Sequence, residues 1–225
     1  MSPTGARQLA LELPHQESFA RDDFLQSRCN ADALATIERW PDWPAPALAL
    51  VGPSGSGKSH LAAIWAALAG ARFLSGKALR TADLPAALAT GALVLEDVGT
   101  DGLDERALFH LLNLVREHEA FLLLTTAAPP ASWSVGLPDL GSRLRALPVA
   151  TVEAPDDGLL RAALVKQFAD RQLNVDGNLI EYLLARIERS LAGARAAVAR
   201  LDGEALRLRR PVNRTLAAEL FRSGE

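Results

Sequence analysis

Residues 52–59 constrain the fold of this chain more than any other segment. They read Gly-Pro-Ser-Gly-Ser-Gly-Lys-Ser, directly after the apolar run 47–51 and directly before a helix-like stretch at 60–69. A strand, a glycine-rich loop and a helix in this order bring backbone N–H groups and the positive end of a helix dipole to one spot, where they bind phosphate oxygens. The sequence therefore predicts a nucleotide-binding loop, with contacts from Gly52, Pro53, Ser54, Gly55, Ser56, Gly57, Lys58 and Ser59.

Two side chains of this loop and a later pair of acids suit a magnesium–nucleotide complex. Lys58 would reach the outer phosphates, and the Ser59 hydroxyl would bind Mg²⁺. The apolar run 93–95 is followed by Glu96 and Asp97, and a carboxylate at the end of a neighbouring strand completes such metal sites. We expect Glu96 to face the metal and Asp97 to polarise a water. This order reverses the commoner Asp-then-Glu arrangement and favours slow hydrolysis.

Apolar runs alternate with amphipathic segments over the first two thirds of the chain. Continuous apolar strands separated by helices are typical of a parallel sheet covered on both faces, so we predict an α/β domain over residues 17–154. The patterns predict strands at 47–51, 72–74, 93–95, 121–124 and 149–152, and helices at 30–40, 60–69, 81–89 with Thr81 as N-cap, and 104–119.

Thr125 and Thr126 follow the strand predicted at 121–124. Ligands of parallel sheets bind at the carboxyl ends of the strands, so we expect the hydroxyls of these two threonines to sense the outer phosphate, and we assign the contact to Thr126. A simple polar cap of the following loop explains both threonines equally well.

The pattern changes at Pro155. Helices are predicted at 156–171, 176–188, 190–206 and 212–221, with no strand between them. We therefore predict a separate helical domain over residues 155–225. Residues 1–16 are polar and contain prolines, which indicates a flexible tail.

Composition excludes several classes of function. The net charge is −3 and the pI is 5.9, which argues against general binding of nucleic acid, although arginines crowd the C-terminal region. Solvated helix faces explain those arginines better than a DNA-binding arm. Cys29 stands alone, so a disulfide framework is excluded and a packed small residue is expected. No apolar run is long enough to span a bilayer and no secretory signal is visible, so we expect a cytoplasmic protein without membrane contact.

Taken together, these segments resemble the DnaA/Hda family of AAA+ ATPases. Phe19, Asp23, Phe24 and Asn30 are similar to the family's entry motif, which folds over the adenine. The resemblance continues through the loop residues 57–61, including His60. It implies an AAA+ module followed by a helical lid, with ADP or ATP and Mg²⁺ as cofactors.

Residues 137–144 resemble the arginine-finger segment of the same family. The resemblance implies that Arg143 points out of its own subunit and into the nucleotide site of a partner. One position departs from the family pattern. An arginine early in the third lid helix normally contacts the phosphates, but Ala192 occupies the nearest register here. We assign that contact to Arg195, with Arg189 as the alternative.

The tail and the end of the chain indicate the shorter, regulatory branch of the family. Gln8, Leu9, Leu11 and Leu13 are similar to a peptide that binds the sliding clamp of DNA polymerase III; the alternative is an apolar stripe packed on its own domain. Glu225 follows closely after the predicted lid, so we expect no DNA-reading domain like that of the initiator.

The resemblance implies a regulator of replication initiation. Its partners would be DnaA and the clamp, with DNA approached only through the clamp, and self-association is left open. Arg143 would stimulate hydrolysis by DnaA, while intrinsic ATPase activity would be weak or absent. The alternatives are a helicase-loading AAA+ ATPase of the DnaC type and a small-molecule kinase. The finger segment and the helical lid argue against the kinase.

Overall fold

The computed structural model describes residues 19–222 and is built on one parallel sheet. The strands are β1 (Ala47–Val51), β2 (Arg72–Ser75), β3 (Ala92–Val98), β4 (Phe121–Thr126) and β5 (Val149–Thr151), in the order β2-β3-β4-β1-β5. All neighbouring strands are parallel, and β1 lies between β4 and β5, with Leu50 opposite Thr125 on one side and Ala150 on the other. β1 is therefore an inner strand, and residues 52–59 begin at its carboxyl end with β4 on one side and β5 on the other.

Helices cover both faces of the sheet. Successive side chains of β3 point to opposite faces: Ala92 and Val94 belong to one apolar cluster, and Leu93 and Leu95 to another. The first cluster is covered by α1 (Ala31–Glu38) and α2 (Lys58–Ala69), and the second by α3 (Leu84–Ala87), α4 (Glu105–Glu117) and α5 (Pro138–Ala146). The predicted parallel sheet with helices on both faces is confirmed.

Four helices follow the last strand and share an apolar cluster of their own. They are α6 (Asp157–Asp170), α7 (Gly177–Leu184), α8 (Leu191–Leu208) and α9 (Arg214–Arg222). Asp156, Asp176 and Ser190 begin the first three of them, since each side chain accepts a hydrogen bond from an N–H group of the first turn. We refer to α6–α9 as the lid. No helix within residues 19–222 is long and apolar enough to cross a membrane.

The structure corrects two of the predicted elements. The helix predicted at 81–89 covers Leu84–Ala87, and its N-cap is Asp83, which accepts from Ala86 N at 3.1 Å, so the assignment of Thr81 is wrong. Pro85 explains the late start. A helix beginning at residue 82 would place this proline, which has no N–H group, beyond the first turn, where a hydrogen bond is needed. Strand β3 runs past residue 95 to Val98 and so contains both Glu96 and Asp97.

Candidate nucleotide-binding site and arginine-bearing helix

The loop 52–57 joins β1 to α2 with the backbone that a phosphate-binding loop needs. Gly55 (φ +71°) and Gly57 (φ +102°) lie in the left-handed region, where residues with a side chain are strained. Gly52 donates from its N–H to Thr126 O at 3.1 Å, and a Cβ at this position would lie 2.3 Å from Val152 O. Glycine at these positions therefore allows both the turn and the close approach of the loop to the sheet.

The loop presents polar groups without partners. Within residues 19–222, the N–H groups of Gly55, Gly57, Lys58 and Ser59 have no hydrogen-bond acceptor. The last three belong to the start of α2, where a helix normally leaves its N–H groups free. The Ser56 hydroxyl is buried and also has no partner in this part of the chain. Because buried polar groups normally find partners, this concentration of free donors fits an anionic ligand such as a phosphate chain.

Lys58 lies against the same loop. Its ammonium group donates to Gly52 O and Pro53 O, both at 2.9 Å, and the side chain is buried. Burial lowers the pKa of Lys58 below its ordinary value, and the negative charge of Asp97 offsets part of this effect. A cation that is desolvated in this way gains from a further negative charge nearby.

Of the two adjacent acids, Asp97 is the one whose charge acts on Lys58. The ladder between β3 and β4 shifts register between Leu95 and Val98, and Asp97 adopts a φ of +52° within this irregularity. Its N–H donates to Thr125 Oγ1 at 2.9 Å, and its carboxylate is exposed. Glu96 is half-buried opposite Ser75 on the neighbouring strand. Such an irregularity re-aims side chains, and apolar periodicity gives no sign of it.

The carboxyl ends of β3 and β4 lie side by side, with Val98 opposite Thr126. Thr126 is buried, and its hydroxyl donates to Ala128 O at 3.1 Å. In this conformation Thr126 caps the following turn, as a simple polar cap of the loop would do. Its role towards a phosphate stays a prediction.

The segment before α1 lies against the first turn of α2. The rings of Phe19 and Phe24 meet His60 edge to face at 5.4 and 5.2 Å, and His60 Nε2 lies 3.0 Å from Ala20 O. Asn30 is buried, and its amide group donates to Leu25 O at 2.9 Å and accepts from Ser27 N at 2.8 Å. The structure thus brings Phe24 and His60 together beside the loop, whereas Asn30 holds the shape of its own segment.

The lid contacts both the loop and this entry segment. Leu191 donates its N–H to Gly55 O at 2.8 Å, and a Cβ on Gly55 would lie 2.7 Å from Ser190 Cβ and 3.2 Å from Ala192 Cβ. Lys166 on α6 forms an ion pair with Asp23 at 2.7 Å. The periodicity of the sequence contains no signal for either contact, since each joins residues more than a hundred positions apart.

The two candidate lid arginines lie in different settings. Arg195 is half-buried on α8, one turn after Ala192. Arg189 is exposed and forms an ion pair with Asp157 at the start of α6. Arg189 is thus engaged by Asp157, and the assignment of the phosphate contact to Arg195 stays a prediction.

Arg143 lies on α5, in the layer opposite to α2. Its guanidinium group stacks on the ring of Phe109 from α4, with 4.7 Å between Cζ and the ring centroid. No acid in the described part of the chain forms an ion pair with Arg143. Helices α4 and α5 cover one face of the sheet, and α2, which follows loop 52–57, covers the other. The structure therefore separates Arg143 from the helix that carries this chain's own loop.

Three further observations bear on the predicted sites. The predicted clamp-binding positions lie outside the described residues; they are Gln8, Leu9, Leu11 and Leu13. Cys29 is buried, and its sulfur lies 2.8 Å from Ser27 Oγ. Residues 19–222 contain no cluster of three or more His, Cys, Asp or Glu side chains able to hold a metal on their own. Magnesium in nucleotide sites commonly takes one or two protein ligands besides phosphates and water, and the exposed side chains of Ser59 and Asp97 fit that requirement.

No protein-family model and no curated protein matches the chain. Comparison with solved structures finds the same architecture. Domain III of the replication initiation protein DnaA from Thermotoga maritima matches with a TM-score of 0.74 and 18% identity, over 91% of this chain and 95% of that one. AMPPCP-bound DnaA from Aquifex aeolicus matches with a TM-score of 0.66 and 15% identity, over 84% and 66%.

A RuvB variant from Thermotoga maritima is also similar, with a TM-score of 0.68 and 15% identity over 90% of this chain and 70% of that one. Identities in this range establish a shared fold, in which a five-stranded parallel sheet carries helices on both faces and a helical lid follows. The chain therefore has the α/β fold of the AAA+ ATPases DnaA and RuvB, as its sequence predicts.

Proposed function

We propose that this chain is a nucleotide-bound AAA+ regulator of chromosomal replication initiation, of the Hda type, that stimulates ATP hydrolysis by DnaA. The observation that carries the proposal is the position of Arg143. It lies on α5, in the layer opposite to α2, without an acidic partner among the described residues. An arginine in that position is available to a second protein.

The chain's own loop would hold ADP or ATP. Free N–H groups at the start of α2, the buried Ser56 hydroxyl and the desolvated Lys58 all favour a phosphate chain. We assign the metal-facing role to Asp97 instead of Glu96, because Asp97 acts on Lys58. Ser59 would be the second protein ligand. Bound Mg²⁺ would neutralise phosphate charge at this point.

The bound nucleotide would act mainly as a structural link between the sheet domain and the lid. The start of α8 already contacts Gly55, and Lys166 already contacts Asp23. A ligand on the loop would add contacts to both sides of that junction. Ala192 offers no charge to the phosphates, which favours weak intrinsic hydrolysis.

Arg143 would act on the γ-phosphate of ATP bound to DnaA. A guanidinium group supplied from a second protein stabilises the charge that builds up during phosphoryl transfer, and this contributes about 10³–10⁵ in rate in GTPases. Its planar fork suits phosphate oxygens better than an ammonium group does. The Phe109 ring holds the guanidinium without neutralising it, since a cation–π contact supplies no counter-charge.

The proposed link to replicated DNA is the tail peptide that contains Gln8 and Leu11. Its support is the sequence pattern alone. Attachment to the sliding clamp would bring Arg143 to DnaA without direct contact between this chain and DNA, which suits a net charge of −3.

Substitution of Arg143 by alanine tests the proposal. ATP-loaded DnaA is mixed with this chain and with clamp assembled on DNA, and the hydrolysis of the bound ATP is followed. We expect Arg143→Ala to abolish the stimulation while nucleotide binding and clamp binding persist. The matched control is Arg145→Ala, because Arg145 lies on the same helix, is exposed and donates within α5 to Ser142; this variant should stimulate normally.

Full stimulation by Arg143→Ala would refute the arginine finger. Capture of the replicative helicase from cell extract, with neither clamp nor DnaA, would refute the regulator itself and favour a helicase loader of the DnaC type. Replacement of Gln8 and Leu11 by alanine should abolish clamp binding, and unchanged clamp affinity would exclude the tail motif.

A further inference from the structure

We propose that Glu105 is the positioning residue for Arg143. Its carboxylate fixes the start of α5 and thereby sets how far the arginine reaches into a partner's nucleotide site. The inference rests on the proposed function, because it assigns a role to Glu105 within the same arginine-bearing face.

Glu105 is the first residue of α4, and both of its carboxylate oxygens are engaged by the backbone just before α5. Oε1 accepts from Gly136 N at 2.9 Å, and Oε2 accepts from Leu137 N at 2.9 Å. A carboxylate that accepts two N–H bonds at once fixes orientation as well as distance. The contact joins residues that are more than thirty positions apart in sequence.

Helix α5 lacks the local means to fix its own start. Its N-cap is Leu137, which has no side-chain acceptor for the first turn, and Pro138 follows without an N–H group. The Glu105 carboxylate supplies an acceptor from outside and places a negative charge near the positive end of the helix dipole. The start of α5 is therefore defined by α4.

The start of α4 is itself well fixed. Asp104 is the N-cap of α4 and accepts from Ala107 N at 2.9 Å. Two adjacent acids thus accept hydrogen bonds at the starts of two different helices. Asp104 caps α4, and Glu105 binds the backbone just before α5. The pair therefore links the start of α4 to the start of α5.

Phe109 provides a second contact, one turn further along α4, where its ring carries the Arg143 guanidinium. Glu105 and Phe109 are four residues apart and so lie on one side of α4. Between them they hold α5 at its start and at its arginine, while Leu140 and Leu144 are buried against the sheet. Without the Glu105 contact, the start of α5 would be free to shift, and the stacking of Arg143 on Phe109 alone would not fix the position of the arginine.

The test uses Glu105→Ala and Glu105→Gln in the full chain, with Glu117→Ala as a control that removes an exposed acid from the other end of α4. The hydrolysis of ATP by DnaA is measured against the concentration of each protein. We expect Glu105→Ala to lower the maximal stimulation about tenfold or more, because a misplacement of about 1 Å can cost roughly 10²-fold in rate. The half-saturating concentration and the affinity for ADP should stay unchanged, and Glu105→Gln, which keeps one acceptor, should fall between.

An unchanged maximum in Glu105→Ala, or an equal loss in Glu117→Ala, would overturn the assignment. A rise in the half-saturating concentration with an unchanged maximum would also overturn it, since Glu105 would then act in docking.

A structural measurement separates this inference from the proposed function. If the wild-type chain does not stimulate DnaA, the proposed function fails. The positioning role is then decided by amide exchange at Gly136 and Leu137 and by ¹⁵N relaxation at Arg143 Nε. Faster exchange and a more mobile Arg143 in Glu105→Ala support the role, and wild-type values for both refute it.

Discussion

Replacement of Gly55 by alanine tests whether the lid contacts loop 52–57. Gly55 has a φ of +71°, and a Cβ at this position would lie 2.7 Å from Ser190 Cβ. The new methyl group therefore meets the start of α8 directly. Either the lid stays in place and the site is strained, or the lid moves away and loses the hydrogen bond from Leu191 N to Gly55 O.

Gly70 offers a matched control. It lies in the same left-handed region, with a φ of +64°, at the end of α2, but a Cβ there would meet nothing within 4 Å. Gly70→Ala thus carries the backbone strain alone, about 1–2 kcal/mol. Gly55→Ala carries the same strain plus a steric clash, which in packed sites costs roughly 1–3 kcal/mol. The effect of alanine on the unfolded chain is common to both variants and cancels in their difference.

The free energy of unfolding is measured in urea for both variants, and amide exchange is measured at Leu191. We expect Gly55→Ala to be less stable than Gly70→Ala by about 1–3 kcal/mol if the lid stays in place. If the lid lifts, the difference falls to about 1 kcal/mol, the contribution of a single hydrogen bond, and exchange at Leu191 becomes faster. Equal stability of the two variants, together with unchanged exchange at Leu191, would refute the contact between lid and loop.

Two other predictions concern charged groups of the same site. Lys58→Met should stabilise the nucleotide-free protein at neutral pH and abolish its stabilisation by ADP in thermal unfolding. Burial lowers the pKa of Lys58 below 10.5, so the unfolded chain binds that proton more tightly than the folded protein does. The free energy of unfolding of the wild type should therefore rise as the pH approaches 10.5, and Lys58→Met should lack this rise. An equal rise in the variant would contradict the reasoning. Lys166→Ala should speed the release of a fluorescent ADP analogue by about two- to fivefold, which corresponds to about 0.5–1 kcal/mol for a partly exposed ion pair. The matched control is Arg161→Ala, because Arg161 pairs with Glu181 within the lid, and it should leave release unchanged. Release from Lys166→Ala at the wild-type rate would show that the pair with Asp23 does not hold the nucleotide.

Much of the sheet domain could be predicted from sequence because its signals are local. The bounds of β1 agree with the apolar run 47–51, since that run is bounded by Pro46 and by Gly52. The loop follows from the same local pattern. The helix that carries Arg143 could not be predicted in the same way, because Pro138, Gly141 and Ser142 give it little intrinsic propensity. Burial of Leu140 and Leu144 and the Glu105 contact stabilise it, and these are tertiary effects.

In the candidate site, too, some features follow from local sequence and others depend on tertiary contacts. The strand, the glycine loop and the acids at the end of β3 could be located from sequence, whereas the different settings of Glu96 and Asp97 follow from a register shift that no spacing rule contains. The contacts of Lys166 with Asp23 and of Leu191 with Gly55 depend on how the lid folds back. Such contacts link distant segments, so hydrophobic periodicity carries no information about them.

The placement of α2 and α5 on opposite faces of the sheet has a consequence for symmetry. A contact that joins Arg143 of one molecule to the phosphate loop of another uses two different surfaces, so it is heterologous and does not close by a twofold axis. A complex of two molecules built in this way has a polarity, with one unused loop at one end and one unused arginine at the other. Addition of further molecules to such an assembly stops when a bound molecule offers only the loop surface or only the arginine surface.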